Sequence, residues 1–253
     1  MTFTCSPAPL FFVISGPGGT GKTTLIREWR KIEPDLHYVP NVTTRKPRPA
    51  SAVDEAGLYE FVSFEKFRAL VEADYFAQWV NPSEGKYYGT PRAPLDDALT
   101  KKQDLVFDYT PQLYINLRQL YREHIVSIFV MPPSLEELRR RLETRNTESG
   151  RDLEIKYQMA LQDLAFVEEH DYHVVNDDFE KTLRTLQSIR VAEKARLSRQ
   201  TGVLPEYLKR ARRSMLFYYD PSGTRTQRIG ESEEAAAATR NGTPPAAALA
   251  ACG

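Results

Sequence analysis

The stretch FFVISGPGGTGKTTLIREW, Phe11 to Trp29, restricts what this chain can fold into more than any other. A short apolar run gives way to a glycine-rich loop and then to a segment with helical periodicity. Gly16, Gly21, Lys22 and Thr23 satisfy G-x-x-x-x-G-K-S/T between a predicted strand and a predicted helix, the context that motif requires. The glycines let backbone N–H groups converge on a β-phosphate, where the helix N-terminus adds positive potential. Lys22 neutralises charge on the β- and γ-oxygens, and the Thr23 hydroxyl can ligate Mg²⁺. The same letters hold G-x-G-x-x-G at Gly16, Gly18 and Gly21, a dinucleotide fingerprint with Asp35 at a tolerable distance for a ribose contact. That rival leaves Lys22 and Thr23 without a task. A purely structural glycine turn is the plainer alternative, but strand, loop and helix stand in register. The phosphate-binding loop is preferred.

Beyond the loop, short β-forming runs at Phe11 to Ser15, Asp104 to Tyr109, Ile125 to Met131 and Tyr172 to Asn176 alternate with helix-period segments. The helices are predicted at Lys22 to Ile32, Pro111 to Arg122, Leu135 to Arg145, Asp152 to Glu169 and Phe179 to Arg199. Ser134 and Glu137 make a capping box before the third of them. Continuous apolar strands separated by helices argue an α/β fold with a parallel sheet covered on both faces. Pro40 to Pro91 breaks the rhythm with aromatic alternation around one short helix, Phe64 to Ala73, and reads as an inserted β-rich lobe. A chain of 253 residues, 41% hydrophobic, can bury one good core. Its 34 basic and 34 acidic residues give no bulk charge for nucleic acid or an acidic membrane. Cys5 and Cys252 form no disulfide framework, and Leu10 to Ile14 is too short for a signal segment or a membrane span. The expectation is a soluble cytoplasmic protein with no nucleic-acid or membrane partner. Residues 231–253 are expected to be disordered.

Other segments carry possible phosphate chemistry. VTTRKPRP, Val42 to Pro49, sets Arg45 and Arg48 three apart in a proline-stiffened fork suited to bidentate phosphate contact, or else it is a solvated basic loop. EGKYYGTPR (Glu84 to Arg92) follows. PPSLEELRRRLETRNTE (Pro132 to Glu148) puts Arg141 and Arg145 on one helix face, either solvent-facing or able to close over a transferring phosphoryl group. In HVVNDDFEK, Asn176 either caps the next helix or faces an adenine from the strand's carboxyl end.

The phosphate loop, TTRKPR, YYGT, PPSLEELRRRL, RNTE and VVNDD in this order resemble the guanylate kinase family over residues 10 to about 195. The resemblance implies a P-loop NTPase-type core within residues 1–199, an acceptor lobe at about 41–93 and a helical lid at about 141–156. It implies an ATP site built from Gly16, Pro17, Gly18, Gly19, Thr20 and Gly21, with Lys22, Thr23, Thr24 and Asn176. Mg²⁺ would sit on Thr23, and Lys22, Arg45, Arg141 and Arg145 would act on the phosphates. The acceptor would meet Asn41, Arg45, Arg48, Tyr59, Gln78, Tyr88, Thr90 and Asp108. An anionic phosphate acceptor needs no general base, and no Ser-His-Asp set or metal cluster is evident; His37, His124, His170 and His173 lack ligand spacing.

The departures fall on the acceptor side. Gln78 stands where the family carries a guanine-reading glutamate, Ser51 where a second glutamate is usual, with Asp54 and Glu55 nearby. Asn41 replaces a phosphate-contacting serine, Lys156 an arginine, and of a paired-aspartate motif Asp108 remains, with Thr110 at the second place. Thr90 is retained and can still read a base edge. Replacing a charged acceptor by a neutral amide costs roughly 1.5–3 kcal/mol. The expected activity is ATP-dependent transfer to GMP or dGMP. Alternatives are another phosphorylated acceptor such as ribose 1,5-bisphosphate, or a non-catalytic binding module, against which the complete loop argues. Residues 200–230 form an extension whose LKRARRSMLFYY is expected to pack as a helix through Leu208, Met215, Leu216 and Phe217. An RNA or membrane contact is the alternative for that segment, and the oligomeric state is open.

Overall fold

A computed structural model describes residues 6–47, 57–83, 85–145, 150–201, 218–219 and 226–227. The chain divides into two compact units, residues 7–199 and residues 1–6 with 200–253. In the larger unit the strands are β1 (Phe11–Ser15), β2 (Leu36–Tyr38), β3 (Asn41–Thr43), β4 (Tyr59–Phe61), β5 (Phe76–Ser83), β6 (Lys86–Pro91), β7 (Asp104–Asp108), β8 (Ile125–Met131) and β9 (Tyr172–Val175). Its helices are α1 (Lys22–Ile32), α2 (Phe64–Glu72), α3 (Arg92–Lys101), α4 (Pro111–Tyr121), α5 (Leu135–Arg145), α6 (Gly150–Leu164) and α7 (Phe179–Ala195).

Five strands form a parallel sheet in the order β9-β8-β1-β7-β2. Strand β1 is buried throughout, and its alternate side chains serve opposite faces, as the pleat dictates. Leu10, Phe12 and Ile14 pack with Leu25, Ile26 and Trp29 of α1 and Leu183 and Leu186 of α7. Phe11 and Val13 pack on the other face with Leu95 of α3 and Leu113 and Leu117 of α4. Burial on both faces is why these strands read as unbroken apolar runs.

The inserted lobe is a second sheet, β4-β3-β6-β5, with β3 parallel to β4 and antiparallel to β6, and β5 antiparallel to β6. Phe67 of α2 stacks on Phe76 at 4.7 Å and holds the helix to that sheet. Strand β2 and helix α3 leave little trace in the sequence: β2 is three residues with one buried side chain, and α3 has a proline in its first turn. Two helices end earlier than the periodicity suggests. Residues Val167–Glu169 and Leu197–Arg199 are short 3₁₀ turns rather than continuations of α6 and α7.

Arg190 of α7 ties the core's lower edge together through Glu33, Asp35 and Asp104. Asp35 is therefore an ion-pair partner for Arg190, not a ribose ligand, and the dinucleotide reading fails on that contact. In the smaller unit, Tyr218–Tyr219 pairs antiparallel with Thr226–Gln227. The rest of the expected packing helix, including Leu208 to Phe217, lies outside the described residues, as does the tail after Gln227. No described helix is long and apolar enough to cross a membrane.

Candidate active site

Gly16, Asp108 and Asn176 stand at or just past the carboxyl ends of β1, β7 and β9, where an open parallel sheet leaves its ligand crevice. Gly16 has φ +130°, and a Cβ there would overlap the Val130 carbonyl, so only glycine lets the loop leave β1 this close to β8. Gly21 caps α1 at φ +90°, and a Cβ on it would lie 2.6 Å from the Asn176 amide nitrogen. That nitrogen donates to the Thr20 carbonyl at 2.7 Å. The cap of α7 falls instead to Asp178, whose side chain accepts from the Lys181 N–H. Asn176 thus latches the loop to the end of β9, a contact with no local signal in the sequence.

Within the loop, the Lys22 ammonium donates to the Gly16 and Pro17 carbonyls at 2.7 and 2.8 Å, and Thr20 Oγ1 donates to Pro17 at 3.0 Å. The first turn of α1 holds no acidic residue, which preserves its positive end for an anion. Thr23 Oγ1 donates to Asp108 Oδ2 at 2.7 Å, a pairing of two hard oxygen ligands. Asp108 therefore meets the donor loop, although the sequence placed it with the acceptor residues. Asp163 on α6 is an addition. Burial pushes its carboxyl up to about 6, with Lys22 pulling the other way. A single aspartate within a helix gives no sequence signal for such a place.

Gly19, Gly21, Thr24, Arg141, Asn176 and Phe179 line a cleft of about 280 Å³ beside the loop. Arg141 donates to Glu137 Oε1 at 2.7 Å and to the Asn176 carbonyl at 3.1 Å. Hydrogen bonds from Arg140 and then Arg141 bring the Glu137 carboxyl down to about 2. Ser134 caps α5 as expected, accepting from the Glu137 N–H at 3.1 Å. Glu137's carboxylate turns to the arginines, so the capping box is half used. Arg145 closes α5, but its side chain lies outside the described residues, as do residues 146–149 of the predicted lid. Lys156 is exposed on α6.

Across the strand ends, the Arg45 guanidinium lies over the Tyr59 ring at 5.1 Å and the Phe61 ring at 5.3 Å, a cation–π seat that fixes its direction. Arg48, Ser51, Asp54 and Glu55 lie outside the described residues. Tyr88 is opposite Thr43 and Val80 in the lobe's ladders. Burial pushes the Tyr38 phenol well up, the Asp108 carboxylate adding to the effect, and its hydroxyl donates to the Leu58 carbonyl at 3.2 Å.

The pocket floor is neutral. Asn41 Nδ2 donates to the Asp108 carbonyl at 3.5 Å, and Thr90 Oγ1 donates to Asn41 Oδ1 at 3.2 Å. Thr90 also meets the Tyr109 hydroxyl at 2.5 Å and Gln78 Nε2 at 3.4 Å. Burial raises the Tyr109 phenol, its hydrogen bonds with Thr90 and Gln78 opposing that. Among the described residues, Gln78 Oε1 has no hydrogen-bond partner, nor has Thr110 Oγ1 at the cap of α4. Asn41, Gln78 and Thr90 come together in one hydrogen-bonded cluster. Tyr109 joins them unannounced, since a tyrosine in an apolar strand reads as core.

Lysine and glycine backbone at a helix head, with a threonine paired to a strand-end aspartate, make this a P-loop phosphotransferase fold. Residues 9–193 match the family model described as guanylate kinase, and the chain belongs to that family. A guanylate kinase of Paramagnetospirillum magneticum is 36% identical over 209 residues, covering 83% of this chain and 96% of that protein. One from Desulfitobacterium hafniense is 37% identical over 195 residues, covering 77% and 95%. The crystal structure of guanylate kinase from Anaplasma phagocytophilum superposes with a TM-score of 0.67 at 29% identity, covering 81% of this chain and 96% of that one.

Proposed function

We propose that this protein transfers the γ-phosphoryl group of ATP to GMP or dGMP. The carrying observation is the double engagement of Asp108. Its carboxylate accepts from Thr23 of the donor loop, and its backbone carbonyl accepts from Asn41 of the acceptor pocket. One residue thus joins the two substrate ends and sets them a fixed distance apart, which in-line transfer requires. The hard oxygens of Thr23 and Asp108 fit Mg²⁺, which when bound neutralises charge on the β- and γ-oxygens. Lys22 and the loop N–H groups hold the donor phosphates. Arg45, with Tyr59, orients the acceptor's own phosphate, and Arg141 closes the donor cleft. Transfer itself asks for alignment and charge cancellation rather than a base.

The relatives' names support a nucleotide acceptor over a phosphorylated sugar. The test is ATP consumption with Mg²⁺ and a panel of GMP, dGMP, AMP, UMP and ribose 1,5-bisphosphate. GMP and dGMP are expected to be turned over. Turnover of the sugar with no nucleotide accepted would overturn the proposal.

A further inference from the structure

The phosphate loop has glycines at positive φ at 16, 19 and 21, and backbone of this kind is held in one shape only by what surrounds it. Each of them is backed by a different element. Gly16 lies against the Val130 carbonyl of β8 and Gly21 against the Asn176 amide just past β9, so the parallel sheet backs both. Gly19 is backed by α5: a Cβ on it would lie 3.2 Å from Leu142 Cδ2 and 3.6 Å from Leu138 Cδ1. A Cβ on Gly18, by contrast, would meet nothing within 4 Å. Leu138 and Leu142 are buried, and they pack with Leu153, Tyr157 and Ala160 of α6 in an apolar cluster apart from the two that cover the sheet. Arg141, on the same helix, reaches the next loop residue through an intermediary. It donates to the Asn176 carbonyl, and the Asn176 amide donates to the Thr20 carbonyl. Helix α5 thus grips consecutive loop residues, Gly19 directly and Thr20 through Asn176.

We infer that Leu138 and Leu142 are positioning residues for the donor phosphates: by seating Gly19, they make the shape of the phosphate loop depend on the docking of α5 and α6. This rests on the ATP-site reading above. The loop works by aiming backbone N–H groups at the phosphates, so a loop free to change its φ values binds them more weakly and aligns them less well. The two leucines bring no polar group to a nucleotide and act only through Gly19. The packing that fixes Gly19 also holds Arg141 at the edge of the donor cleft, so both grips on the donor come from one helix. The acceptor lobe has its own sheet and its own apolar cluster, so loosening α5 should be felt by ATP and not by the acceptor.

The experiment measures kcat, the KM for ATP and for GMP, and Tm in wild type, Leu142→Ala, Leu142→Met, Gly19→Ala and the double variant Gly19→Ala/Leu142→Ala. Leu142→Ala opens a space over Gly19 and is expected to raise the ATP KM about tenfold, with the GMP KM within about twofold of wild type. Leu142→Met keeps the volume and is expected to stay within about threefold of wild type in every constant. Gly19→Ala sets a methyl against Leu142 at a positive φ and is expected to lower kcat/KM for ATP about a hundredfold. In the double variant the methyl enters the space that Leu142 leaves. Its loss should therefore be at least about threefold smaller than the product of the two single losses, and its Tm higher than the summed shifts give. Additivity in either readout would overturn the seating. Equal rises in the ATP and GMP KM of Leu142→Ala would mean that the leucine serves only the fold, and would overturn the positioning role. If Leu142→Ala does not fold, Leu142→Val replaces it in the same comparison. Absence of any GMP transfer in wild type would instead remove the proposed function, and the cycle in Tm would then decide the seating.

Discussion

The donor and acceptor halves of this molecule are built on opposite principles. The donor side is built on one contiguous loop that Lys22 closes onto backbone carbonyls, and the ionisable side chains Asp108, Asp163 and Arg141 join it from β7, α6 and α5. The pocket floor collects Asn41, Gln78, Thr90 and Tyr109 from four separate strands or strand ends, bonds them side chain to side chain, and carries no charge. A phosphate is the same for every nucleotide, so a short fixed motif serves it. A base differs between nucleotides, and its reader can change residue by residue while the donor loop stays constant.

The largest effect should come from removing charge on the donor side. Lys22→Ala is expected to lower kcat by about a thousandfold or more, since the ammonium acts on charge that develops in transfer. Its bonds to the part-buried Gly16 and Pro17 carbonyls are modest beside the burial of the core, so Tm should fall by no more than roughly 4 °C. Turnover near wild type in a folded Lys22→Ala would dissolve the contrast between the halves.

Arg45→Ala separates them next. Its guanidinium sits in the acceptor lobe over Tyr59 and Phe61, away from the loop. The KM for the acceptor should rise about ten- to a hundredfold, on the scale of a lost charge-assisted contact of ~1.5–3 kcal/mol, while the KM for ATP stays within about twofold. Equal rises in both constants would mean that Arg45 supports the whole fold rather than one substrate.

What was legible in the sequence follows the same division. The loop, α1 and the double-faced strands were readable because each is local: Gly21 announces its left-handed cap, and Phe11 to Ile14 announces burial on both sides. The acceptor residues were readable one at a time, by resemblance, but not their partners. Thr90 keeps its identity but is bonded to Gln78 of β5, Asn41 of β3 and Tyr109 just past β7, a grouping that only the folded sheets make. Asn176 was seen as a cap or an adenine contact because nothing in VVNDD points to a carbonyl at Thr20, 156 positions away. Asp163 was invisible for the same reason: its chemistry depends on Lys22, which only folding brings near.

Asp163 supplies the smallest and most diagnostic test, because the charged half should respond to pH where the neutral half should not. Its carboxyl has a pKa of about 6 in the fold against an ordinary 3.8, with burial as the main cause. The folded state therefore holds this proton more firmly than the unfolded chain does. Between those two values the folded protein binds the extra proton, so the group's stability cost is absent below about 4, grows as pH rises, and is complete above about 6. Asp163→Asn removes the half-buried charge while keeping the shape. At pH 7.5 it should raise Tm by roughly 2 °C, the scale of under 1 kcal/mol in a domain of this size, and at pH 4 the gain should vanish. In Gln78→Leu, by contrast, any change in Tm should be the same at both pH values, since the amide it removes does not titrate and the Tyr109 phenol beside it lies well above that range. A pH-independent gain from Asp163→Asn would show that the carboxyl is not desolvated in the fold.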